Sequence, residues 1–134
     1  DYYLLEQYRE RAGFTASKSA VKAMQHGSFA MAVLIEDKAN GPAVMDALKE
    51  EISGLVAVQP DGSKVARAYA VTALCASGNV WLPEDDYAPW VRDLLEELLS
   101  FPAGAHDDQV DSFTQALRYL KSHGLSVWEA LADG

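Results

Sequence analysis

Hydrophobic positions along this chain alternate between two periods, and the alternation predicts its elements. Residues Tyr2 to Arg11 open with Tyr and Leu and close in alternating charge, which predicts a strand. From Ala16 to Gln25, Ala20, Val21 and Met24 recur at helical spacing, with Thr15 as N-cap and Gly27 as stop. Phe29 to Ile35 is an unbroken apolar run. Its length and Val/Ile content predict a strand buried on both faces, ending at Glu36-Asp37-Lys38. Asn40-Gly41-Pro42 then starts a helix over Ala43 to Glu51, with Asn as cap and Pro in the first turn.

Leu55 to Val58 predicts a short strand, closed by the turn Gln59-Pro60-Asp61-Gly62. Lys64 to Ala76 predicts a helix of small residues that stops at Gly78, and Asn79 to Pro83 an extended link. Asp85 or Asp86 caps a helix over Ala88 to Ser100, with Trp90, Leu94, Leu95, Leu98 and Phe101 as its apolar side. After the loop Phe101 to Ala105, a last helix runs from about Asp107 to Ser122 and ends at Gly124. Its stripe is Val110, Phe113, Leu117 and Leu120, and Leu125 to Gly134 follows as an amphipathic tail. Strands alternating with helices predict an α/β layered domain over residues 1–122, with residues 123–134 as the tail.

Composition sharpens this. A length of 134 residues suits one domain, and 49% hydrophobic residues supply a core. The formal net charge of −9 excludes a basic coat for nucleic acid or an anionic membrane, while leaving open a site that holds cations among carboxylates. The single cysteine, Cys75, excludes an internal disulfide framework and a cysteine-based zinc site and points to a reducing compartment. No apolar run is long enough to span a bilayer.

Two acidic clusters are the candidate chemistry. Glu36-Asp37 stands at the end of a strand, where loops of α/β sheets open over ligands; a plain surface loop explains it equally well. His106-Asp107-Asp108-Gln109-Val110-Asp111 puts Asp107, Asp108 and Asp111 on neighbouring positions of one helix start. Three such carboxylates repel unless something positive lies between them. The helix N-terminus supplies about half a unit charge, so capping with dipole complementarity explains the cluster as well as a divalent-metal site does. Hard oxygen ligands suit Mg²⁺ or Mn²⁺, and His106 beside them favours Mn²⁺. Lys38, Lys64 and Arg67 are the basic groups best placed to touch a phosphate, with a solvated face as the plain alternative. Gly62-Ser63-Lys64 lacks the first glycine of a phosphate loop and is not one.

Four segments in order carry a resemblance. They are Ile35-Glu36-Asp37-Lys38-Ala39-Asn40-Gly41; Gly62-Ser63-Lys64-Val65-Ala66-Arg67-Ala68; Gly78-Asn79-Val80-Trp81-Leu82-Pro83; and Phe101-Pro102 with Gly104-Ala105-His106-Asp107-Asp108-Gln109-Val110-Asp111. Over roughly residues 1 to 122 the chain resembles the C-terminal nuclease domain of the large terminase subunit of tailed bacteriophages. The resemblance implies a ribonuclease-H-like fold, a mixed central sheet flanked by helices. It also implies two-metal endonucleolytic cutting of concatemeric phage DNA during genome packaging. Glu36 matches the family's acid at the end of a central strand. Asp108 or Asp107 matches the acid that starts a late helix, with Asp111 as helper and His106 as a neighbouring ligand.

The implied partners are double-stranded DNA, an ATPase domain, the small terminase subunit and the portal, with no membrane. The family's first-strand aspartate would lie upstream of Tyr2. The expectation is therefore a domain without its first strand, which cuts DNA poorly or not at all by itself and covers an open strand edge by self-association. Two other classes compete: a non-catalytic prophage remnant, and a carboxylate-lined cation site with no nucleic-acid role.

Overall fold

The computed structural model describes the backbone of residues 1–37 and 41–133, and the side chains of residues 1–37 and 45–123. Among these residues the order is β1 (Tyr2–Tyr3), α1 (Phe14–Ser28), β2 (Val33–Glu36), α2 (Gly41–Lys49), β3 (Leu55–Val58), α3 (Lys64–Ala76), β4 (Val80–Trp81), α4 (Trp90–Ser100) and α5 (Asp108–Asp133). The chain forms two compact units. One joins Asp1–Gln7 to the residues from Gly62 onward, and the other is Tyr8–Asp61.

The Tyr8–Asp61 unit is built on a parallel pair. β2 and β3 run side by side with Val33 opposite Leu55 and Glu36 opposite Val58. The ladder extends one bond at each end, from the Val33 amide to Gly54 O and from the Asp37 amide to Val58 O, both 2.9 Å. Parallel strands need a crossover, and α2 provides it. Met45, Leu48 and Ile52 are buried, the first two being one helical turn apart.

Three expectations change in this unit. β2 begins at Val33, because Phe29 is drawn off as the left-handed C-cap of α1 (φ 54°) and is 87% exposed. Every β2 position is half-buried, where burial on both faces was expected. α1 runs from Phe14 to Ser28, past Gly27, and buries none of its residues. Polar contacts hold α1 to the unit instead: Lys18 Nζ lies 2.8 Å from Glu51 Oε2, and Gln25 Nε2 donates to Ser53 O at 2.5 Å. The expected cap Asn40 lies outside the described residues.

In the other unit the N-terminal strand is short. β1 pairs in parallel with β4, Tyr2 opposite Val80 and Tyr3 opposite Trp81, and the last ladder bond runs from the Leu4 amide to Trp81 O at 2.9 Å. The strand expected to reach Arg11 ends there, because the charged residues that follow are exposed. The three helices carry the core. α5 packs against both α3 and α4, burying Val71 of α3, Val91 and Leu94 of α4, and Val110, Thr114 and Leu117 of its own.

The α4 face keeps Leu94 inside and Trp90, Leu98 and Phe101 half-buried as expected, but not Leu95. Val91, Leu94 and Glu97 are inside, whereas Leu95 and Leu99 are exposed. α5 also differs at its end: Gly124 does not stop it, and the helix continues to Asp133. A glycine inside a helix costs only about 1 kcal/mol relative to alanine, too little by itself to end one.

Candidate metal centre

The start of α5 gathers the acidic cluster. Asp108 and Asp111 belong to its first turn, and Asp107 immediately precedes it, its carbonyl accepting the Asp111 amide at 3.0 Å. Helical spacing then aims the three side chains to one side. One carboxylate oxygen from each lies within 4.8 Å of the others, close enough for a single cation to touch all three. Asp108 is exposed, while Asp107 and Asp111 are half-buried. Donors of this kind are hard and anionic, which fits Mg²⁺ or Mn²⁺. The positive end of the helix macrodipole favours the same negative charge.

Two neighbours hold this helix start in place, and neither was singled out from the sequence. Glu97 of α4 is buried, and its Oε2 accepts the Val110 amide at 2.9 Å. That amide is one of the four that open a helix without an intrahelical partner, so Glu97 caps α5 from another helix. Gln109 is also buried, and its Oε1 accepts Gln7 Nε2 at 2.6 Å, tying the segment after β1 to the same turn. The sequence signal for Glu97 is an acid in step with the apolar positions Val91 and Leu94. Gln7 and Gln109 are 102 positions apart and leave no such mark.

The basic residues are not directed at open solvent. Ser63 caps α3, its side chain accepting the Ala66 amide at 3.1 Å, and this sets Lys64 and Arg67 on the first turns. Lys64 Nζ lies 3.0 Å from Asp107 Oδ1 and 2.9 Å from Asp111 Oδ2. Arg67 Nη2 lies 3.9 Å from Asp111 Oδ1, and its Nη1 donates to Gly62 O at 2.6 Å. Gly62 takes φ +69°, a conformation that suits glycine, and presents that carbonyl.

Hydrogen bonding to Asp111 and then Asp107 holds the Lys64 amine well above the usual lysine range. A raised folded-state value means that the bridge's contribution is complete at neutral pH and is lost only as the pH rises through the folded value. Lys64 thus supplies positive charge between two of the three carboxylates.

Of the expected site residues, Asp107, Asp108 and Asp111 come together, joined by Lys64 and Arg67. His106 is exposed and contributes no atom to the three-carboxylate group. Glu36 ends β2 in the Tyr8–Asp61 unit and is half-buried. Its neighbour Asp37 accepts Gln59 Nε2 at 2.9 Å. Lys38 lies outside the described residues. No described helix is long and apolar enough to cross a membrane.

Comparison with known proteins adds one finding. A family model described as the terminase RNaseH-like domain matches residues 1–120. No curated protein and no solved structure matches the chain.

Proposed function

From the premise that this chain belongs to the terminase RNaseH-like domain family, we propose that it is the nuclease domain of a large terminase subunit. In this reading it cuts concatemeric phage DNA during genome packaging in the cytoplasm of a bacterial host. The family gives the α/β fold as RNase H-like, suggests a divalent metal cofactor, and implies DNA and packaging machinery as partners. The observation that carries the finer reading is the three-carboxylate group at the start of α5.

Asp107, Asp108 and Asp111 would hold a divalent ion, Mg²⁺ or Mn²⁺, and the family pattern adds Glu36 as an anchor and His106 as a neighbouring ligand. A bound ion would supply Lewis-acid charge at a phosphodiester and lower the pKa of an attacking water. Glu97 and Gln109 tie down the α5 turn that carries these carboxylates, as supporting hydrogen bonds do around metal ligands. Lys38, Lys64 and Arg67 would steer the DNA backbone, which is read by charge and not by sequence. The partners in this reading are double-stranded DNA, an ATPase domain, the small terminase subunit and the portal, and self-association of the chain belongs to it as well.

One observation favours a second reading. Lys64 already neutralises part of the acidic cluster, so the carboxylates have a purely structural use as an internal ion network. Mn²⁺ binding followed by the loss of the free-ion resonance signal separates the two, together with Mn²⁺-dependent nicking of plasmid DNA. The nuclease reading expects stoichiometric binding that Asp108→Asn weakens at least tenfold, and at most weak nicking by the chain alone, which Glu36→Ala and Asp108→Asn both abolish. Wild-type protein that neither binds Mn²⁺ nor nicks DNA would leave the ion network as the explanation.

A further inference from the structure

The two basic residues beside the acidic cluster are held in opposite ways. Arg67 is tethered: its side chain is 16% exposed, and the guanidinium donates to the Gly62 carbonyl as well as facing Asp111. Lys64 is held only at its tip: its side chain is 46% exposed, on the first turn of α3, and its ammonium pairs with Asp107 and Asp111. Asp108 makes no ion pair among the described residues. An ammonium on a flexible stem has no fixed donor geometry, and half-exposed ion pairs are weak. Its point charge nevertheless sits where an ion shared by Asp107 and Asp111 would have to sit.

We propose that Lys64 is a built-in cation for the Asp107–Asp111 pair, exchanged for a divalent ion when one binds. The proposal rests on the metal reading above and adds to it. Lys64 and the more distant Arg67 leave three converging carboxylates under-compensated, so a divalent ion gains more from the group than lysine does. Without the ion, Lys64 keeps Asp107 and Asp111 from repelling each other and preserves the shape of the site. With the ion, the ammonium swings out, which its exposed stem permits, while the tethered Arg67 stays.

The test is Mn²⁺ affinity from the free-ion resonance signal, for the wild type, Lys64→Gln, Lys64→Arg and Asp108→Asn. Removing the competitor in Lys64→Gln should tighten binding by about two- to fivefold, and Lys64→Arg should not tighten it. Equal or weaker binding by Lys64→Gln, with Asp108→Asn still showing that the ion sits at the cluster, overturns the exchange and leaves the metal reading standing. Wild-type binding that is absent, or indifferent to Asp108→Asn, overturns both. A second measurement needs no substitution at Lys64: saturating Mg²⁺ should move the Lys64 Cε–Nζ resonances to those of a free lysine. Resonances that stay unchanged overturn the exchange.

Discussion

Glu97 Oε2 accepts the backbone amide of Val110 at 2.9 Å, so an acid buried on α4 closes the first turn of α5. The metal-binding aspartates proposed here stand on that turn, and their convergence depends on it. Glu97→Ala leaves the amide buried and unpartnered and opens a cavity, which should cost about 2 kcal/mol in urea unfolding. Glu97→Gln keeps an accepting oxygen and should cost less than half as much. Equal losses in the two variants would mean that the cap contributes little.

Asp108 takes no part in the Lys64 bridge, which makes it the cleanest probe of the cluster. In chelator, Asp108→Asn should leave the melting temperature within a few degrees of wild type, because relief of repulsion offsets a weaker match to the helix dipole. At Mn²⁺ one hundred times its dissociation constant, the wild type should gain roughly 10 °C. The variant should gain almost none of that, as read by differential scanning fluorimetry.

Gly54 has φ +70°, and a Cβ placed on it would run into the Met31 carbonyl oxygen. Its own carbonyl accepts the Val33 amide that opens the β2–β3 ladder. Gly54→Ala therefore combines an unfavourable dihedral with a backbone clash and should destabilise the Tyr8–Asp61 unit by at least about 2 kcal/mol. Amide exchange of Val33 to Glu36 should accelerate in that variant. Gly13→Ala, where a Cβ meets nothing within 4 Å, is the matched control.

A hydrogen bond from Lys18 to Glu51 holds the Glu51 carboxyl below its usual value of 4.5. A depressed folded-state value contributes stability that is present above the unfolded value and lost as the pH falls through the folded one. Glu51→Gln should thus be less stable than wild type at pH 7. The gap should close below pH 4.5, and a gap that persists at pH 2.5 would trace to packing and not to charge.

How much the sequence disclosed varies by element. β3 and α3 have the limits that their patterns predict, Leu55–Val58 and Lys64–Ala76, because a Pro-Asp-Gly turn and a serine cap are local devices. The α5 cluster was equally legible, since residues within one turn of a helix meet whatever else the fold does. Elsewhere the local signs misled. Gly27 and Gly124 read as stops and are passed through. Leu95 reads as core and lies outside, while Glu97, a charge, lies inside.

The sequence by itself determined the α/β class, the order of most elements, and the meeting of Asp107, Asp108 and Asp111. Periodicity and helical spacing depend only on neighbours along the chain. Tertiary structure decided what surrounds those carboxylates: Lys64, 43 positions from Asp107, between two of them, and Glu97, 13 positions from Val110, beneath them. The physical reason is that compensation of charge and of buried amides acts through space. Which side chain meets the need is settled only once α3, α4 and α5 pack.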